Sequence, residues 1–351
     1  MRRVEKIRNL LEIETLDAII VTNKITKQYI GAVTGSGNIV VITKNELLQF
    51  MDGRYQNEKC NLEDCDNIVL PDRDYFTPII QFFDEKGFNN IGLEENGISI
   101  SKYLMLSNHF RVKSVGDKIV ELRSIKDVDE IEKIKLACSI TDEILEKVLP
   151  KIRVGMSEKE LVGLLYNESF KAGADCMSFE PIIASGWRGS LPHGRPTNKI
   201  IEPGELVTID FGIVIDNYQS DMTRTVGMKN ISQELREIYE TVRKAQQAAV
   251  DLVAPGVEAY RVDSIARNII TNAGYGEYFT HGLGHGIGIG GDIPMMNSDN
   301  KNKLCSNMVL TCEPGIYIPN LGGVRIEDVV LVTQDGGEAL TKSDKSLILV
   351  G

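Results

Sequence analysis

The sequence predicts an α+β protein in two parts, a smaller α/β domain over residues 1–122 and a larger mixed domain over residues 123–351. Three observations carry that expectation. The first third alternates short β-branched runs ("DAIIVT", "GNIVVIT", "NIVLP", "NNIGLEE") with polar stretches of helical character, the pattern of an α/β unit. From Arg123 the texture turns to long amphipathic helical patterns, and beyond residue 180 it becomes strand-like and rich in glycine. At 351 residues the chain is also long for a single hydrophobic core.

In chain order, "MRRVEKIRNLLEIETL" places Val4, Ile7, Leu10 and Leu11 at helical spacing and lacks the uninterrupted apolar stretch of a signal peptide. It reads as an amphipathic helix of a cytoplasmic protein. "RSIKDVDEIEKIKLACSITDEILEKVLPKI" and "SEKELVGLLYNESFKAGA" read as helices, the second opened by a capping box of Ser157 and Glu160. Further helices are expected over 232–252 and 258–273. A domain boundary near residues 120–125 follows from the change of texture.

A formal net charge of −11 and the lack of a basic patch argue against nucleic acid or an anionic membrane surface as partner. No apolar run reaches the roughly 18 residues of a membrane span. Cys60, Cys65, Cys138, Cys176, Cys305 and Cys312 form no CxxC pair and are expected as reduced core thiols. A small substrate or a peptide is left.

The stretch "VTIDFGIVIDNYQSDMTRTV", residues 207–226, reads as a hairpin turning at Asp216-Asn217-Tyr218, with Asp210 and Asp221 roughly opposite each other. Taken alone, either aspartate belongs on a solvated sheet face. Other polar residues in apolar frames join them: His193 in "LPHGRP", His281 and His285 in "THGLGHGIG", Glu313 in "VLTCEPGIYIP" and Glu327 in "GVRIEDVVLV". The glycines around His281 and His285 exclude a helix there. Glu327 beside Asp328 would pass as a surface pair on a strand end. Together, two aspartates, one histidine and two glutamates make a donor set of hard oxygens plus an imidazole, suited to divalent Mn, Co, Fe or Zn, and the surplus of carboxylates implies two ions. Two ions sharing carboxylates and a water would explain how such a hairpin tolerates its charges. "GIGIGG" at 286–291 fits a dinucleotide fingerprint but lies far from any first βα turn. HExxH, G-x-S-x-G and the phosphate-loop motif are absent from the sequence.

With Asp210, Asp221, His285, Glu313 and Glu327 in that order, residues 125–350 resemble the creatinase/aminopeptidase P/prolidase group of metallopeptidases through "DFG", "SDMTRT", "HGLGHGIG", "CEPGIYIP" and "GVRIEDVVLV". The resemblance implies the pita-bread fold for the catalytic domain, a smaller N-terminal domain and a homodimer. It implies that Asp210 holds one metal, that Asp221 and Glu327 bridge, and that His285 and Glu313 hold the other, Glu313 doubling as general base. The metals would be two divalent ions, Mn first, with Co, Zn or Fe as alternatives. His193 and His281 match pocket positions, and Arg325 a basic residue supporting the acidic cluster. The expected substrate is a proline-containing di- or oligopeptide cut before proline.

One departure stands out. The family pattern places a histidine seven residues after the ligand histidine and a glutamate next to it, where this chain has Asp292 and Ile293. An aspartate facing the pocket would repel a carboxylate and attract an amine. Two other readings stay open at this level: a relative that binds peptides without turnover, and a metal-free hydrolase of the creatinase kind, which would lack the full ligand set.

Overall fold

The structure is a computed structural model that describes residues 2–58 and 62–351; Cys60 falls outside the described residues. The chain divides into two compact units, Met1–Arg123 and Ser124–Gly351.

The first unit is built on a six-stranded mixed sheet of β1 (Ala18–Val21), β2 (Asn38–Thr43), β3 (Leu47–Asp52), β4 (Asp66–Leu70), β5 (Asn90–Leu93) and β6 (Arg111–Ser114) in the order β4-β3-β2-β1-β5-β6. Its β1–β2 and β2–β3 pairs are antiparallel and the others parallel. Helices α1 (Arg3–Ile13), α2 (Lys24–Ile30), α3 (Phe76–Lys86), α4 (Ile100–Ser107) and α5 (Gly116–Ser124) accompany it. α1 occupies the expected stretch and buries Ile7, Leu10 and Leu11.

In the second unit, α6 (Val128–Val148) begins later than its amphipathic pattern suggests, because the Asp127 side chain accepts from Glu130 N and closes a capping box that starts the helix there. α7 (Glu158–Lys171) carries the expected box, with Ser157 and Glu160 bonded reciprocally. α6 and α7 pack Ile144, Leu145, Val148, Leu161 and Leu165 against a sheet of β8 (Ile182–Ser185), β9 (Leu206–Phe211) and β12 (Met222–Met228), which contributes Ile183, Ile209 and Val226. Between β9 and β12 lie β10 (Ile213–Ile215) and β11 (Tyr218–Gln219), which form a small sheet with β7 (Cys176–Met177). The turn that joins them holds Asp216 at φ 49° and Asn217 at φ 73°, the two positive values that a tight hairpin turn demands.

A second pair of helices, α8 (Gln233–Leu252) and α9 (Ala259–Asn272), covers a second sheet. That sheet is formed by β13 (Gly284–Ile287), β14 (Gly291–Met296), β15 (Val309–Cys312), β18 (Asp328–Val332) and β19 (Gly337–Ala339), in the order β14-β13-β15-β18-β19 and antiparallel throughout. A hairpin of β16 (Gly315–Ile318) and β17 (Gly322–Arg325) intervenes, and β20 (Leu349–Val350) joins β12 in parallel. The glycines of "HGLGHGIG" have a packing cause. A Cβ on Gly284 would collide with Thr311 O and one on Gly286 with Ile293 O, so β13 runs closer to β14 and β15 than any side chain allows. "GIGIGG" therefore covers the end of β13, the hairpin turn and the first residue of β14, and is not a βα loop.

Cys138 and Cys312 are buried, as expected of core thiols, whereas Cys176 and Cys305 are exposed and Cys65 is half-buried. Among the described residues no helix is long and apolar enough to cross a membrane. Because the Ser157 box is local to one helix end, Ser157→Ala is expected to lower the unfolding free energy by about 1 kcal/mol in urea titration while leaving the far-ultraviolet spectrum unchanged.

Candidate metal centre

The two helix-backed sheets of the second unit feed one acidic cluster. Asp210 is near the end of β9, Asp221 immediately precedes β12, His285 lies on β13, Glu313 directly follows β15, and Glu327 directly precedes β18. The register of the hairpin sets Thr223, not Asp221, opposite Asp210. Ligand atoms of Asp210, Asp221 and Glu327 still converge to within 4.8 Å of one another, all three residues being buried. His285 Nε2 stands 3.8 Å from Asp221 Oδ2 and 3.7 Å from Glu313 Oε1. All five predicted ligands are thus adjoining. The solvated-face reading of the aspartates and the surface reading of Glu327 and Asp328 both fail, since Asp210 is 6%, Asp221 8%, Glu327 1% and Asp328 0% exposed.

Such a cluster is costly without cations. Burial pushes Asp221 well above the ordinary carboxylate range, and Asp210 and Glu313 push it further. Glu327 is raised by burial first and then by Asp221, Glu313 and Asp210, and Glu313 by burial above all. Asp210 Oδ2 is met by Arg325 Nη2 at 2.6 Å, but its buried Oδ1 has no hydrogen-bond partner. His285 Nδ1 lies 2.9 Å from Gly286 O, so Nδ1 carries a proton, and in the neutral ring the Nε2 lone pair faces the carboxylates of Asp221 and Glu313. An imidazole nitrogen aimed at two carboxylates, beside an orphaned carboxylate oxygen, fits a divalent cation.

Residues around the ligands fix them. Thr223 Oγ1 donates to Glu327 Oε2 at 2.7 Å, and Thr311 Oγ1 donates to Glu313 Oε1 at 3.1 Å and accepts from His285 N at 3.0 Å. Arg325, 4% exposed, also donates to Thr223 Oγ1 at 3.1 Å, to Pro192 O at 3.1 Å and to Tyr317 OH at 3.0 Å. His281 Nδ1 donates to Gly282 O at 2.7 Å, which leaves Nε2 to accept from Tyr317 OH at 2.8 Å. Burial, with the charges of Arg325, His193 and Arg267, lowers His281 to about 4, so it is neutral at pH 7. His193 is exposed on the loop that follows Pro192. Tyr317, Thr223 and Thr311 were not singled out from the sequence; only their places in "EPGIY", "SDMTRT" and "VLTCE" hinted at them.

Asp292 behaves differently from the sequence expectation. Its carboxylate meets Lys126 Nζ at 3.2 Å with both side chains at most 2% exposed, so its charge is answered inside the fold.

A buried, cation-demanding carboxylate cluster fed by two helix-backed sheets defines a metallohydrolase of the two-domain, creatinase-like pita-bread class. The chain belongs to metallopeptidase family M24: that family matches residues 132–334, and the creatinase/prolidase N-terminal domain matches residues 3–125. It is similar to the Xaa-Pro dipeptidase of Pyrococcus horikoshii, 37% identical over 99% of this chain and 98% of the relative. Among solved structures, an Xaa-Pro dipeptidase from Bacillus anthracis superposes with a TM-score of 0.94 at 35% identity, covering 99% of each chain. An X-Pro aminopeptidase from Thermotoga maritima follows at 0.91 and 34%, covering all of both chains.

The raised carboxylates set a pH signature. A group whose folded pKa exceeds its unfolded value favours the fold fully below the unfolded value and loses that contribution as pH rises through the folded one. Metal-free protein is therefore expected to lose stability as pH climbs from about 4 through the raised values of Asp221, Glu313 and Glu327, and saturating divalent metal to flatten that slope. Urea titrations at several pH values, with chelator or with Mn²⁺, check both arms.

Proposed function

We propose that this protein is a dimetal exopeptidase that hydrolyses the peptide bond preceding proline, in Xaa-Pro dipeptides or at the first bond of Xaa-Pro-Yaa peptides. The observation that carries this reading is the convergence of Asp210, Asp221, Glu327, His285 and Glu313, with the Asp210 Oδ1 orphan and the inward His285 lone pair. The names of the similar proteins, dipeptidase and aminopeptidase, supply the substrate class.

In this reading Asp210, Asp221, His285, Glu313 and Glu327 would together hold the pair of cations. When bound, the cations supply Lewis acidity toward the scissile carbonyl and lower the pKa of a water toward neutrality. The rest of the chemistry falls to the chain. Glu313 takes the proton of the attacking water as the O–C bond forms. It then delivers that proton to the proline nitrogen as the C–N bond breaks. His281, neutral and held by Tyr317, lines the pocket with a fixed ring. His193, exposed on its loop, contacts the substrate from the solvent side. Manganese is the first choice among divalent ions because the donors are mostly hard oxygens, and a homodimer follows from the family resemblance.

The test is amino-acid release from a matched pair, Xaa-Pro and Xaa-Pro-Yaa, by chelator-stripped protein resupplied with Mn²⁺ or Co²⁺. Metal-dependent release from at least one is expected, with Glu313→Gln about 10²- to 10⁴-fold slower. Absence of release from both, with metal bound, would refute the reading.

A further inference from the structure

His281 hangs from a pair of residues on α9. Asp263 and Arg267 lie four residues apart, and the guanidinium grips the carboxylate along one edge, Nε to Oδ2 at 2.9 Å and Nη2 to Oδ1 at 3.0 Å. As a helix-surface ion pair this would be worth only a few tenths of a kcal/mol. Asp263, however, is fully buried, and every remaining polar contact of the pair goes to one short segment. Arg267 Nη1 donates to Phe279 O at 2.9 Å, its Nη2 donates to His281 O at 2.7 Å, and Asp263 Oδ1 accepts from Leu283 N at 3.0 Å. The guanidinium also lies over the Phe279 ring, 4.2 Å from its centre, and that ring meets the His281 imidazole edge to face at 5.1 Å.

The contacts thus fall on residues 279, 281 and 283, ahead of β13. They fix the His281 carbonyl from one side and wall the ring on one side with Phe279, while Tyr317 holds Nε2. Only a planar fork can bind a carboxylate along one edge, reach two carbonyls and lie on an aromatic face at once; an ammonium on a flexible stem cannot.

We propose that Asp263 and Arg267 are positioning residues for His281: the pair sets the backbone of residues 279–283 and the Phe279 ring, and through them the angle at which the imidazole is presented to the peptide. This rests on the reading of His281 as a pocket residue of a proline-specific exopeptidase. Residue 281 is no ligand in that reading, so the pair acts on turnover and not on metal capture.

Arg267→Lys keeps the charge and removes the fork. With Mn²⁺-loaded protein and the Xaa-Pro peptide, kcat/KM is expected to fall about ten- to a hundredfold, the range for residues that orient an active group, while the Mn²⁺ dissociation constant measured by calorimetry stays within about twofold. In a His281→Ala background the same change is expected to remove less than about twofold more. An equal factor in both backgrounds, or a wild-type rate for Arg267→Lys alone, would overturn the proposal. A second readout needs no turnover. In metal-free, ring-¹³C-histidine protein, Arg267→Lys is expected to move the His281 signal and leave that of His109 in place; an unmoved His281 signal would also overturn it. If wild-type protein cleaves neither test peptide, the functional reading fails, and the ring signal alone decides the positioning role.

Discussion

The second unit depends on one constraint, that carboxylates from separate strands are gathered in a place water scarcely reaches. Two unit charges about 4 Å apart at an effective dielectric near 20 interact by roughly 4 kcal/mol, and three carboxylates here lie within 4.8 Å of one another. Arg325 answers one oxygen of one of them. The remaining charge is beyond what a single guanidinium can offset, so at neutral pH the cluster must either keep protons or hold cations. The upward displacement of Asp221, Glu313 and Glu327 is the first alternative; the orphaned Asp210 Oδ1 and the inward His285 lone pair prepare the second.

Asp328, the neighbour of Glu327, serves as an internal control. It is equally buried, and burial pushes it up, but Arg224 and Lys345 hold it below the ordinary carboxylate range. Arg224 Nη2 reaches Oδ1 at 2.7 Å, Lys345 Nζ reaches Oδ2 at 2.7 Å, and Thr341 and Gln246 complete its shell at 2.9 Å each. Arg224 also donates to the carbonyls of Thr223 and Glu327. One acid of the pair is therefore satisfied by the protein and anchors the strands. The other receives a single hydroxyl, from Thr223, and is left with capacity for a cation. Two adjacent acids in one apolar run thus meet different partners, Asp328 at the first position of β18 and Glu327 just before it.

Much of this was legible in the sequence because a charge in an apolar strand is locally anomalous. Asp210, Asp221, Glu313 and Glu327 stand out against their frames, His285 against its glycines, and Ser157 and Glu160 announce a helix start by spacing alone. What stayed hidden depends on partners far away in the chain. Tyr317 looks like one more core aromatic until it is seen between His281 and Arg325. Asp263 and Arg267 look like a surface ion pair until α9 packs beside residues 279–283. Asp292 lies on β14 and pairs with Lys126, a partner 166 residues away that its place after His285 does not announce. Even the hairpin misleads by two residues, since Thr223 pairs with Asp210 and Met222 with Phe211, which leaves Asp221 outside the ladder.

His285, His281 and His193 are held in three different ways. His285 is fixed by its own strand and by the carbonyl of the next residue, as suits a ligand whose lone pair must not wander. His281 is clamped through the backbone by α9 and through the ring by Tyr317. His193 is held only through its loop. Arg325 grips Pro192 O on one side, and on the other Arg188 donates to Arg195 O while the fully buried Glu158 accepts from Thr197 N and Oγ1 and pairs with Arg188. Arg325 thus contacts a predicted metal ligand, the tyrosine that orients His281 and the loop that carries His193. The charge constraint that gathers the acids therefore also fixes Arg325, and through it Tyr317 and the carbonyl of Pro192.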